Sequence, residues 1–355
     1  MIDKKIEKKK IIVCAPATVS NVGPGFDIMG FALDVVSDVI ELSISKTRGI
    51  IIKKITGDGG KLPYDPKLNI ASVAIQSILN KYKIKTGLEL KIHKKIGIGS
   101  GLGSSGASAV AAVFALNKLL DLSLSKKELL VHALSGEILS SGSFHADNVA
   151  PCLYGGFVIA RGSSPIETLQ IEYPKKLYCS LVYPAIEIKT SEARKILPKK
   201  IPLGLGVEQA ANASFLIAGL ITKNYKIISS SIKDVFAEPK RAKLIPCYDS
   251  VREAALLNGA FNCNISGSGP TMFAFSDSLM RAELITKKME LAVKSFRIKY
   301  KSYTSKINQN GPVEIIEGKS NENEKNHFVS SITKKAKSQD IDEIIFGINT
   351  KNNYE

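Results

Sequence analysis

The chain has 355 residues, 44% of them hydrophobic, with 27 Gly and 14 Pro. That length suits two domains of ordinary size, and the apolar fraction without a glycine period excludes collagen, coiled coil and wholesale disorder. Lys plus Arg is 49 against 33 Asp plus Glu, a formal charge of +16, yet the bases are scattered, Trp is absent and no stripe interleaves bases with aromatics. Acidic small molecules, rather than nucleic acid, are therefore the expected ligands. No apolar run reaches 18 residues without a charge, so no membrane-spanning helix is expected. The start of the chain lacks a signal-peptide pattern. The five Cys (14, 152, 179, 247 and 263) form no Cys-x-x-Cys pair and read as buried, reduced thiols of a cytoplasmic protein.

In chain order, residues 11–15 read as a buried strand, followed by a glycine-punctuated loop over 21–30. Strands are expected at 35–44, 49–55 and 88–92, and helices at 69–82 and 105–120. Ser125-x-x-Glu128 is a capping-box signature opening a helix that runs to about Leu139. Ser141 to Pro151 reads as a dense polar turn. Beyond it, strands are expected at 157–160, 178–183, 260–265, 271–275 and 313–316. Helices are expected at 191–197, 205–222, 226–235, 249–258 and 279–294. The expected division is residues 1–165, residues 166–317, and a polar tail, 318–355, read as a disordered extension.

The segment Gly97-Ile98-Gly99-Ser100-Gly101-Leu102-Gly103-Ser104-Ser105-Gly106-Ala107 stands between a strand and a helix. Glycines let a backbone approach phosphate, and the free N–H groups and dipole of the following helix favour an anion. There is no Walker lysine, and the literal Gly-x-Gly-x-x-Gly match lacks a second strand ending in an acid, so neither a P-loop nor a dinucleotide fold is implied. Ser105 and Glu137 are candidate oxygen ligands for the Mg²⁺ of a nucleoside triphosphate, if their helices pack side by side. Asn148, Asp147 and His145 either line a pocket or make Asx turns; composition alone leaves this even. Asn21, Asp27 and a further glycine loop, Ser266 to Pro270, are weaker signals singly. Seven Arg against 42 Lys suggest that some Arg are kept for planar, bidentate carboxylate binding, with Arg194 and Arg241 placed to do so.

Together these segments resemble the GHMP kinase superfamily, and within it the homoserine branch. Ala15 to Asp27, Gly99 to Ser108 and Asn262 to Thr271 are similar to its three motifs. His145 to Pro151, Lys189 to Pro198 and Glu238 to Pro246 are similar to segments of that branch. The resemblance is collinear from about residue 11 to 317. It implies an α+β chain of two domains: a ribosomal-protein-like N-terminal domain that binds ATP, and a ferredoxin-like C-terminal one. It implies ATP-dependent phosphorylation of L-homoserine, with Mg²⁺, no nucleic acid and no membrane, and a homodimer left open. Asn69 matches the adenine contact and residues 97–107 the phosphate loop. Asn21, Asp27, Asn148, Thr190, Arg194 and Arg241 match substrate contacts, the first three being the candidate catalytic set. Many superfamily members have an Asp base where this chain has Asn148. Gly97 replaces the usual Pro and would loosen the loop entry. Phosphorylation of another alcohol, such as mevalonate, is the runner-up. RNA binding is the alternative of a different class, disfavoured by the lack of stacking aromatics beside bases.

Overall fold

A computed structural model describes residues 9–141, 146–162 and 165–316. The expected tail, 318–355, and His145 lie outside the described residues.

The elements begin with β1 (Lys10–Ser20), β2 (Met29–Ser45) and β3 (Gly49–Thr56), then α1 (Ile70–Lys81) and β4 (Gly87–His93). Three helices follow: α2 (Ser104–Leu119), α3 (Lys126–Ser141) and α4 (Ala146–Tyr154). Next come β5 (Phe157–Arg161), β6 (Glu167–Ile171), β7 (Tyr178–Pro184), α5 (Thr190–Lys195), α6 (Leu203–Ile221) and α7 (Tyr225–Ser231). The remainder is α8 (Glu238–Arg241), α9 (Tyr248–Leu257), β8 (Cys263–Ile265), β9 (Met272–Ser276), α10 (Leu279–Ser295), β10 (Tyr300–Lys306) and β11 (Val313–Glu314).

Two sheets result. The first runs β11-β1-β2-β4-β3, with β5 paired to β2 and β6 to β5; the second runs β10-β7-β9-β8. All pairings are antiparallel except β3 with β4. At 17 residues, β2 is long enough to pair β4 along its second half and β5 along its first three residues. The first sheet therefore runs past residue 165: a division there cuts the β5–β6 hairpin, and β11 returns to β1 from the far end of the chain.

Helices α1, α2 and α3 pack on one another, and α2 lies on β1 and β2. Its run of Gly, Ala, Ser and Val allows this close approach, with Gly106 through Val113 all buried. The capping box forms as read: Ser125 Oγ accepts from the Glu128 N–H, and Glu128 accepts from the Ser125 N–H at 2.8 Å. Phe31, Phe157, Phe273 and Phe275 make one aromatic cluster across both sheets, with Phe31 and Phe275 centroids 5.2 Å apart. All five Cys are buried and none is in a disulfide.

Residues 146–154 correct the reading of a polar turn: they form α4. Pro151 lies inside this helix and cannot donate to the carbonyl of Asp147. That carbonyl packs against Gly30 of β2, where a Cβ would stand 1.8 Å from it. Strands β6 and β10 were not expected, and α7 ends at Ser231, short of 235. Helix α6 is long and apolar enough to cross a membrane by length and composition. Glu208 interrupts it, and Gln209, Leu216, Gly219 and Leu220 are buried in the protein body.

Candidate active site

Three glycine loops meet at one cavity of about 600 Å³, a volume suited to a small molecule or nucleotide. Its lining includes Asn69, the loop residues 98–101 and 103–105, Glu137, Asn21, Asp27, Asn148, Thr190, Arg194 and Arg241. Residues read from seven separate stretches of sequence thus share one space. Gly97, Leu102, Gly106 and Ala107 stand outside the lining and shape the loop instead.

The loop after β4 is fixed from both sides. The Thr18 N–H donates to the Leu102 carbonyl at 3.1 Å, and the Thr271 N–H to the Ser100 carbonyl at 3.2 Å. Ser266 Oγ donates to the Gly101 carbonyl at 2.6 Å. Gly103 has φ +66°, and a Cβ there would stand 2.1 Å from Thr18 Oγ1 and 2.8 Å from Asn148 Oδ1, so only glycine fits. At residue 97, where a looser loop entry is expected, Tyr183 packs its ring against the face that Gly97 leaves bare, 3.0 Å from where a Cβ would be.

Beneath the loop lies a buried ion pair that sequence reading missed. Lys94 Nζ bonds Asp38, the Ser104 carbonyl at 2.7 Å and Ser108 Oγ at 2.8 Å. Asp38 Oδ1 accepts the Lys95 and Ile96 N–H groups at 2.9 and 3.0 Å. This network ties the end of β4 to the first turn of α2, where the loop presents its N–H groups. Nothing in local spacing marks it, because Asp38 sits 56 residues before Lys94 in an ordinary strand.

Helices α2 and α3 pack side by side. Ser105, in the first turn of α2, hydrogen-bonds the buried Glu137 carboxylate. Burial raises the Glu137 pKa; the Ser105 bond and the Lys94 charge oppose that rise. An oxygen-only pair of one hydroxyl and one carboxylate beside a phosphate loop fits a hard divalent cation that keeps other oxygens from water and phosphate. Among the described residues there is no cluster of three or more His, Cys, Asp and Glu, so a metal held by protein side chains alone does not fit.

At the other end, Arg241 is buried on α8, donating from Nη1 to the Gly267 carbonyl at 2.7 Å and from Nε to the Ala193 carbonyl at 3.3 Å. Burial lowers its pKa, Asp27 opposes that, and the neighbouring Arg194 adds to it. Arg194, on α5 and half-exposed, bonds Asp27 Oδ2 at 2.7 Å. Both guanidinium groups face Phe26, with carbons 5.8 and 5.2 Å from the ring centroid. Phe236 meets the same ring edge-on at 5.6 Å. Phe26 was missed, though it sits beside Asp27. The quadrupole of its face lets two like charges stand close together.

Asn21 and Asp27 have φ of +69° and +59°, and the Asn21 side chain accepts the Asp27 N–H at 3.1 Å and donates to the Gly267 carbonyl at 3.0 Å. Asn148 accepts from Thr18 Oγ1 and donates to Ser20 Oγ, each at 3.0 Å. Asn69 caps α1 by accepting the Ala71 N–H at 3.1 Å and donates to the Pro63 carbonyl at 3.0 Å. Of the even reading of 145–148, Asp147 and Asn148 line the cavity.

Residues 69–156 match the GHMP kinases N terminal domain and residues 216–294 the GHMP kinases C terminal family. The chain is 44% identical over 292 residues to a homoserine kinase of Chloroherpeton thalassium, covering 79% of this chain and 92% of that protein. It is 38% identical to one from Pyrococcus furiosus, covering 83% and 97%. The crystal structure of a homoserine kinase from Cytophaga hutchinsonii superposes with a TM-score of 0.86 at 44% identity, over 89% of this chain and all of that one. The L. major mevalonate kinase shares the fold, with a TM-score of 0.67 at 19% identity over 85% and 98%. With both halves of the fold, the three glycine loops and relatives this similar over most of its length, the chain belongs to the GHMP kinase family, on its homoserine kinase branch.

Proposed function

We propose that the chain transfers the γ-phosphoryl group of ATP to the side-chain hydroxyl of L-homoserine, giving ADP and O-phospho-L-homoserine, the penultimate step to threonine. The carrying observation is that the paired, planar cations Arg194 and Arg241 line the same cavity as the glycine loop 97–107. That combination suits an acceptor that carries both a carboxylate and a hydroxyl.

In this reading the loop N–H groups and the N-terminus of α2 take the triphosphate, and Asn69 lies against adenine. Ser105 and Glu137 would hold Mg²⁺, which would supply charge neutralisation for the transferring phosphoryl group. The two Arg grip the substrate carboxylate, with Thr190 and Asp27 closing that end. Asn21 and Asn148, locked by hydrogen bonds to neighbours, fix the hydroxyl in line with the γ-phosphorus, so positioning carries much of the rate.

The test is ADP release with Mg-ATP across homoserine, serine, threonine and mevalonate. Homoserine should have the highest kcat/KM by an order of magnitude or more. Preference for mevalonate would overturn the assignment.

A further inference from the structure

The chain has an amide, Asn148, where many superfamily members have an Asp base, yet a carboxylate lies one residue away. Asp147 is buried, lines the cavity and has one oxygen, Oδ1, with no hydrogen-bond partner. Its carboxylate accepts from the Ser20 hydroxyl and from the Asn21 N–H. A carboxylate serving only to hold the loop after β1 would satisfy both its oxygens.

Ser20 joins Asp147 to the reacting space. It is buried at the end of β1 and lines the same cavity. Its Oγ accepts from Asn148 Nδ2 at 3.0 Å and gives its proton to Asp147. A hydroxyl has one donor and two acceptor sites, so one lone pair remains for an incoming O–H. Asn148 is oriented by Thr18, whose hydroxyl occupies the amide oxygen and turns the NH₂ toward Ser20.

We propose that Ser20 and Asp147 form a proton relay that takes the hydroxyl proton of the acceptor during phosphoryl transfer. It rests on the phosphoryl-transfer reading above. The acceptor oxygen forms its bond to the γ-phosphorus as the bond from that phosphorus to the ADP oxygen breaks. The acceptor's proton passes to Ser20 Oγ, and the Ser20 proton passes to Asp147. No oxidant, reductant or further reactant is needed. Asp147 acts through Ser20 and is a positioning and proton-holding residue rather than one touching substrate.

The electrostatics fit this role. Burial raises the Asp147 carboxyl from 3.8 to about 7, and the charge of Asp27, in the loop after β1, adds to the rise. Hydrogen bonds from Ser20, Asn21 and its own N–H oppose it. The Arg241 guanidinium on α8 is the cation that couples to Asp147. A base titrating near working pH is the efficient kind.

The experiment is a pH–rate profile from pH 5.5 to 9 for wild type, Asp147→Asn, Ser20→Ala and Ser20→Thr, with melting curves and ATP titrations for each. Wild-type kcat should fall on the acid side through about 7. Asp147→Asn should lower kcat by about a hundredfold and abolish that acid limb, with ATP affinity within about threefold of wild type. Ser20→Ala should lose turnover comparably, and Ser20→Thr should restore it. If Asp147→Asn does not fold, the Ser20 pair decides alone. An acid limb retained in Asp147→Asn, or normal turnover in Ser20→Ala, would overturn the relay while leaving the kinase assignment standing. No homoserine turnover by wild type would instead sink the assignment itself.

Discussion

The two ends of the cavity are built by opposite means. The phosphate end is backbone: eleven consecutive residues, 97–107, whose carbonyls are pinned by Thr18, Ser266 and Thr271. The carboxylate end is side chain, assembled from the loop after β1, α5, α8 and the Ser266–Pro270 loop. On the proposed reading, the first would recognise any triphosphate through groups that every residue carries. The second would select by fork geometry and charge, which single substitutions can alter. Nucleotide binding should therefore be robust to most side-chain changes, and substrate choice fragile.

The sharpest break in this contrast is Glu137, a side chain at the backbone-built end. Glu137→Gln should cut turnover by on the order of a hundredfold while preserving shape. Near-normal turnover at saturating Mg²⁺ would remove Glu137 from the metal role. At the other end, Arg241→Lys and Arg194→Lys should each raise KM for homoserine about tenfold or more, with little change in KM for ATP, measured by steady-state kinetics. The buried Arg241, preset by two carbonyls, should show the larger effect. The double variant should fall short of additivity if, as proposed, both groups grip one carboxylate.

Phe26→Leu refines the same end. It keeps the apolar bulk but removes the ring that both guanidinium groups approach. KM for homoserine should rise about threefold with kcat nearly unchanged, and Phe26→Tyr should restore it. Equal loss of kcat and kcat/KM would show that the ring acts elsewhere.

The smallest effect concerns the support of α8. Glu238 is buried, accepts from Tyr248 at 2.6 Å and Asn264 at 2.8 Å, and burial lifts its pKa from 4.5 to about 7. The folded protein thus holds this proton more tightly than the unfolded chain. Its contribution is full below pH 4.5 and is lost as pH rises to about 7. Glu238→Gln should flatten this part of the pH dependence of Tm, a change of a few degrees. An unchanged slope between pH 5 and 7.5 would show that Glu238 is ionised throughout.

Legibility followed the same division. The phosphate loop could be read because its chemistry is local: glycines, serines and a helix start lie in one run. Arg194 and Arg241 were legible only through the rarity of Arg among Lys. Phe26, Ser20 and the Lys94–Asp38 pair were not, because each matters through partners far away in sequence. Helix α4 was hidden by its place at the cavity: Asp147 and Asn148 line it, so its first turn reads as a polar loop. Strands β6 and β10 are half-exposed and carry Thr, Gln, Ser and Lys where an apolar alternation would reveal a strand.

Strand β11 sets a timetable for the newborn chain. Its residues Val313 and Glu314 pair with Cys14 and Val13, and the Ile315 N–H reaches the Ile12 carbonyl. Strand β1 therefore keeps one edge open until about three hundred more residues have followed. At roughly 5–20 residues per second, that wait is on the order of tens of seconds. During it, a strand of ten consecutive buried positions presents unpaired amides to whatever is nearby. Expression at lowered temperature, or with chaperones that shield nascent strands, should therefore raise the yield of folded protein more than changes near the catalytic cavity would.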